Sequence, residues 1–192
     1  MKYKVIDNFL DKEYFDQLQA FFTTDENNDD KKVNNENTMK PPVMTWTFCK
    51  EIVLGDVSKL KDQNNLFYMT HMIYCDMSPV SRIYERVIPL FKKMGVRSLI
   101  RVKANFFPNT HTLYEHPMHT DTDFSHSGAI LSLNTCDGYT KLKDGTKIDS
   151  VANRILLFDP SEEHCSTTTT NVPARININI NYIKVPISNI TP

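Results

Sequence analysis

Four of the six histidines in this 192-residue chain fall between positions 111 and 126. Within that stretch stands His116-Pro117-Met118-His119-Thr120-Asp121-Thr122-Asp123. Residues two apart on an extended strand project from the same face, so His119 and Asp121 can offer an imidazole and a carboxylate to one ion. A third ligand must come from elsewhere in the chain, and His164 is the best candidate. Two histidines and one carboxylate on one triangular face of an octahedron leave three positions open, which suits non-haem Fe(II) with incoming ligands.

Beyond His164, Arg175 opens the run Arg175-Ile176-Asn177-Ile178-Asn179-Ile180-Asn181-Tyr182. Its period-two alternation predicts a strand with the isoleucines on one face and Arg175, Asn177, Asn179 and Asn181 on the other. In an ordinary sandwich the isoleucines would line the core and the asparagines would meet water. In a barrel that binds a dicarboxylate the polar face would turn inward, with Arg175 gripping the acid through two parallel hydrogen bonds. The alternation is compatible with both, and an arginine at the head of a polar ladder suits the second.

His119-x-Asp121, then His164, then Arg175, on a β-rich half that follows N-terminal helices, resembles the 2-oxoglutarate- and Fe(II)-dependent dioxygenases. More narrowly, the pattern is similar to their prolyl-hydroxylase-like branch, especially its small bacterial and phage members. The stretches Ala129–Asn134, Asp137-Gly138-Tyr139-Thr140 and Asn153–Phe158 resemble the same branch. The likeness spans roughly residues 99–184, and the opening Val5–Leu10 is loosely similar.

The resemblance implies a double-stranded β-helix in which His119, Asp121 and His164 hold Fe(II). Arg175 would bind the distal carboxylate of the cosubstrate 2-oxoglutarate. The family often adds a tyrosine from an earlier strand, but Arg101–Phe107 contains none, so Asn105 or Lys103 would have to serve, with Asn105 favoured. Ser166 shares the facing of His164 and is a further candidate contact. The reaction implied uses dioxygen, releases succinate and CO2, and hydroxylates an unactivated C–H bond. A peptidyl (prolyl) or amino-acid-like substrate is expected. His116 lies three residues from His119, a spacing that sends the two to opposite faces of a strand, whereas Asp123 shares the facing of Asp121 and competes with it. His111 and His126 read as loop residues. A non-catalytic jelly-roll binding module is the alternative; a cupin-like metalloenzyme would need a His-x-His pair, and the chain has none.

These groups need a scaffold. The pattern predicts a strand over Tyr3–Ile6 and a helix over Asp11–Phe22, capped by Asp11 with Tyr14, Leu18, Phe21 and Phe22 on one face. Residues 25–40 read as a solvated loop closed by Pro41-Pro42, either a passive insertion or a substrate lid. A strand follows over Val43–Leu54, with Trp46, Phe48 and Ile52 on one side. Ser78-Pro79 is expected to start a helix that carries Ile83, Val87, Leu90 and Phe91 and stops at Gly95, kinked or divided by Pro89. Strands are then expected over Leu99–Phe107, Ala129–Asn134, Arg154–Phe158, His164–Thr170 and Arg175–Val185, with turns at Asp137-Gly138 and Asp144-Gly145. The sum is a mainly β, α+β domain with N-terminal helices packed on one side of an all-β barrel or double sheet, which the resemblance makes a jelly roll. A single domain is expected over 1–192, helix-rich to about residue 98, with a β core from about 99 to 185.

Composition narrows the function classes. With 40% apolar and 10% aromatic residues and only 5 glycines, the chain is neither disordered nor collagen-like. Twenty-two basic against 23 acidic residues leave little attraction for phosphate backbones, which disfavours a nucleic-acid partner. No apolar run approaches ~18 residues and the opening lacks a secretory pattern, so a cytoplasmic protein with no membrane association is expected. Cys49, Cys75, Cys136 and Cys165 are scattered without a CxxC pair, and read as reduced thiols.

Overall fold

The computed structural model describes residues 2–23, 44–50 and 67–184. Strand β1 (Lys4–Ile6) leads into helix α1 (Lys12–Thr23). Asp11 Oδ1 accepts the Tyr14 N–H at 3.0 Å, the expected N-cap. Phe15, Leu18 and Phe22 are buried, with Tyr14 and Phe21 packed at their margin. In the short strand β2 (Thr47–Cys49), Phe48 is exposed, while Trp46 just before it packs against Phe106 with ring centroids 5.4 Å apart. The expected 25–40 loop and Ile52 lie outside the described residues.

Two local expectations are corrected next. Residues 68–75, for which no element is expected, form the eight-residue strand β3 (Tyr68–Cys75). Ser78-Pro79 does not start a helix; it forms strand β4 (Ser78–Pro79), which pairs back onto Tyr74-Cys75. Asp76 and Met77 between them have φ of 49° and 60°, the positive values that a tight two-residue hairpin needs. Helix α2 (Tyr84–Met94) begins later, where Ser81 Oγ accepts the Ile83 N–H at 3.2 Å. It runs undivided through Pro89, because Pro89 and Glu85, whose carbonyl loses its usual partner, are both on the exposed side. Gly95 closes the helix in the left-handed region at φ 71°.

The remaining strands are β5 (Ser98–Pro108), β6 (Ser127–Ser132), β7 (Tyr139–Leu142), β8 (Lys147–Asp149), β9 (Ile155–Phe158), β10 (His164–Ser166) and β11 (Ala174–Ile183). The large sheet has the order β1-β9-β6-β11-β5-β3-β2, with β4 attached to β3; the small sheet has the order β10-β7-β8. All named pairings are antiparallel. The chain thus has the double-stranded β-helix architecture, with both helices on the outer face of the large sheet.

Strand β11 sits at the middle of the large sheet and is buried on both faces. Ile176, Ile178 and Ile180 join Leu18, Val87 and Leu90 of the helices in one core. Arg175, Asn177, Asn179 and Asn181 face the space between the sheets and are 1%, 2%, 7% and 1% exposed. The alternation therefore separates a core from a polar interior, not a core from water. A smaller cluster of Ile130, Leu142, Leu156 and Phe158 holds the two sheets together. Among the described residues no helix is long and apolar enough to cross a membrane, and all four cysteines are free thiols.

Candidate metal centre

Backbone pairing brings the two histidines together. The segment before His119 runs antiparallel to β10 and its continuation, with bridges Glu115–Thr167 and His119–His164. His119 and His164 exchange both N–H···O bonds, each at 2.9 Å. They are directly opposite residues on one face, and their ring centroids are 4.6 Å apart. The Asp121 N–H is tied to the Pro160 carbonyl at 2.8 Å, which brings its carboxylate to the same place. Ligand atoms of His119, Asp121 and His164 all lie within 4.8 Å of one another.

The surrounding bonds orient these groups. His119 Nδ1 is 3.2 Å from the Pro117 carbonyl and His164 Nδ1 is 3.0 Å from the Glu162 carbonyl. A carbonyl can only accept, so each Nδ1 carries the proton and each Nε2 keeps a lone pair free for an ion. Burial lowers both histidine pKa values, holding the rings neutral, as ligation requires. Asp121 Oδ2 accepts from the amides of Asn179 at 3.3 Å and Asn181 at 3.0 Å, and Oδ1 pairs with Arg101 Nη2 at 2.9 Å. Burial pushes the Asp121 pKa up, but Arg101, His164, Lys103 and Asn181 together bring it down to about 2.

Behind this cluster the β5–β11 register sets Asn181 opposite Arg101, Asn179 opposite Lys103, Asn177 opposite Asn105 and Arg175 opposite Phe107. Arg175 donates from Nη2 to Thr140 Oγ1 at 2.8 Å and lies over the Phe107 ring, 5.4 Å from its centroid; its Nε is buried without a partner. Gly138 makes room for it: a Cβ there would stand 2.7 Å from Arg175 Cδ and 2.6 Å from the Thr168 carbonyl oxygen. Asn105 donates to Asn177 Oδ1 at 3.0 Å, while its own Oδ1 is buried and unpaired. Asn105, Thr140 and Ser166 line one cavity with His119, Asp121 and His164.

Sequence reasoning missed several groups here. Tyr68 lines the same cavity from β3, stacked on Phe107 at 5.6 Å with its hydroxyl 3.4 Å from Lys103 Nζ. Burial pushes its pKa up to about 12 and lowers that of Lys103 to about 8, with Arg101 adding to the second effect. Arg101–Phe107 holds no tyrosine, but the pairing of β3 with β5 brings one from the neighbouring strand.

The facing of His116 is also corrected. Four steps separate Glu115 from His119 but only three separate Thr167 from His164, so the segment carries one extra residue, as in a β-bulge. His116 is therefore buried, with Nδ1 2.8 Å from Ser166 Oγ, and stands outside the three-residue cluster. Asp123 and His111 are exposed and stand apart from it. His126 lies between strands as expected, yet is buried, with Nδ1 3.0 Å from the Phe124 carbonyl.

No protein-family model matches the chain, and no curated protein matches it by sequence. Solved structures do match by fold. A 2-oxoglutarate–Fe(II) oxygenase family oxidoreductase from Burkholderia pseudomallei superposes with a TM-score of 0.61 at 11% identity, over 94% of this chain and 84% of its own. A prolyl hydroxylase from Trichoplax adhaerens, solved with a hypoxia-inducible-factor peptide fragment, gives 0.55 at 15% identity, over 95% and 83%. A prolyl-4-hydroxylase from Pseudomonas putida gives 0.53 at 12% identity, over 95% and 92%. The chain has the fold of these oxygenases, prolyl hydroxylases among them.

Proposed function

We propose that this protein is a non-haem Fe(II)- and 2-oxoglutarate-dependent dioxygenase that hydroxylates an unactivated C–H bond. The observation that carries the reading is the three-residue cluster, His119, Asp121 and His164, whose ligand atoms lie within 4.8 Å of one another at the mouth of a polar interior. The residues fit the implied groups. Two neutral imidazoles and a carboxylate are the donor set for Fe(II) with open positions. On the same interior ladder, Arg175 Nε is a buried donor without a partner, which suits a carboxylate. When bound, Fe(II) with 2-oxoglutarate supplies the means to activate dioxygen, releasing succinate and CO2.

The chain's own part is to bind and orient. His119 and His164 present Nε2, and Asn179 and Asn181 hold Asp121 Oδ2 while Arg101 pairs with Oδ1, which lies 4.0 Å from His119 Nε2. Arg175 with Thr140 receives the distal carboxylate at the closed end. Asn105, Lys103 and Ser166 border the path between, and Tyr68 joins them. Tyr68, Phe107 and Ile130 give that path apolar walls that exclude water.

The substrate is a peptidyl prolyl residue or an amino-acid-like molecule. Fold neighbours that are prolyl hydroxylases favour the first. Arg101 and Lys103 favour a free carboxylate: they stand at the Asn181 end of the ladder, away from Arg175, and Arg101 Nε is buried without a partner. The test is succinate formation by iron-loaded protein supplied with 2-oxoglutarate in air, with L-proline, L-prolinamide or a proline-containing peptide added. Fe(II)-dependent succinate that vanishes in His164→Ala is expected, and stimulation by L-proline over its amide would select the free-acid class. Succinate no higher than in His164→Ala under every condition would contradict the oxygenase reading and favour a non-catalytic binding module.

A further inference from the structure

His116 is a buried polar group for which the proposed chemistry has no task. It is 3% exposed, its Nδ1 lies 2.8 Å from Ser166 Oγ, and its Nε2 is buried with no hydrogen-bond partner. Its ring sits 5.4 Å from the centroid of Phe107, the same ring over which the Arg175 guanidinium lies at 5.4 Å. Arg175 Nε is also unpaired. The two orphaned nitrogens thus belong to side chains that both pack on Phe107, a ring that lines the cavity. Native proteins rarely leave such atoms unsatisfied unless a ligand or water completes them.

The chemistry of the pair specifies that ligand. Ser166 can donate its hydroxyl proton to His116 Nδ1, which leaves the imidazole proton on Nε2. Burial, with Arg175 beside it, lowers the His116 pKa to about 3, so the ring is neutral and offers one N–H. A guanidinium N–H and a neutral imidazole N–H, with the Thr140 hydroxyl bonded to the same arginine, form a receptor for a group with several lone pairs and a negative charge. A carboxylate is such a group. The extra residue in the 115–119 segment sets His116 against Ser166, which lines the cavity.

We propose that His116 reads the distal carboxylate of 2-oxoglutarate, its Nε2–H donating beside the Arg175 ion pair, and so selects 2-oxo diacids over 2-oxo acids with an apolar tail. The inference rests on the 2-oxoglutarate reading above. It is tested by anaerobic titration of two ligands into Fe(II)-loaded protein, followed by the visible charge-transfer band of the iron chelate. The ligands are 2-oxoglutarate and 2-oxopentanoate, which has the same chain length with a methyl group in place of the distal carboxylate. In His116→Phe the affinity for 2-oxoglutarate should fall about tenfold or more, while 2-oxopentanoate binds as in the wild type. His116→Gln, which keeps a donor amide, should recover part of the loss and guards against a folding defect in the phenylalanine variant. An equal loss for both ligands, or no loss, overturns the assignment. The absence of a band in the wild type with either ligand would instead remove the oxygenase reading, and this inference with it.

Discussion

Each polar atom of Asp121 has a separate task. Oδ2 is taken by two asparagine amides, at 3.3 and 3.0 Å, while Oδ1 pairs with Arg101 Nη2 at 2.9 Å and lies 4.0 Å from His119 Nε2. The motif His119-x-Asp121 with a later His164 was legible in the sequence because ligand types and a two-residue spacing suffice to propose it. The roles of Asn179, Asn181 and His116 were not. They depend on which strand lies opposite and on one extra residue in an irregular segment, neither of which local pattern encodes. His116 also has a consequence for stability. Its folded pKa is about 3, against an ordinary value of 6.5, so below pH 6.5 the unfolded chain takes up a proton that the folded chain refuses. Stability must then fall as pH falls. Between pH 7 and pH 4 the metal-free wild type should lose about 3 kcal/mol more than His116→Gln, measured by urea unfolding at each pH. Parallel curves for the two proteins would contradict the burial of a neutral His116.

Elements differ in how openly they declare themselves. Strand β11 was plain because strict alternation has one backbone solution; what alternation cannot say is whether its polar face meets water or a second sheet. Strand β3 was missed because Tyr68–Cys75 is almost evenly apolar, with Ile73 fully buried in the helix-facing core and Tyr68 lining the interior, so no period stands out. At Ser78-Pro79 a sound local start signal lost to strand pairing across a tight hairpin. The turn before β7 shows the opposite case, in which a residue read as a turn signal serves the site. Gly138 packs against the Arg175 side chain, and an added methyl group would stand 2.7 Å from its Cδ. Gly138→Ala should therefore displace Arg175, lower stability by about 1–3 kcal/mol and weaken 2-oxoglutarate binding. Thermal unfolding and ligand titration of this variant check both parts, and wild-type values in both would show that Arg175 does not need that space.

At the scale of the molecule, the two sides of the large sheet do different work. One side joins Ile176, Ile178 and Ile180 to the helices and supplies the apolar core; the other carries a ladder of asparagines and cations into the space between the sheets. Fold class was readable in part: a helix-bearing first half and short β runs with turn signals imply helices against an all-β barrel or double sheet, and only the resemblance carried by His119, Asp121, His164 and Arg175 narrows that to a jelly roll. Among the described residues, the interior ladder carries three cations, Arg101, Lys103 and Arg175, and Asp121 is the one carboxylate lining the cavity, a balance that favours an anionic ligand. That expectation and the three-residue cluster meet in one measurement. Under anaerobic conditions, 2-oxoglutarate should produce a saturable charge-transfer band with Fe(II)-loaded wild type, no band with His164→Ala, and a band that needs far more ligand with Arg175→Ala. No band with folded, iron-loaded wild type, or one unaffected by either substitution, would contradict the account.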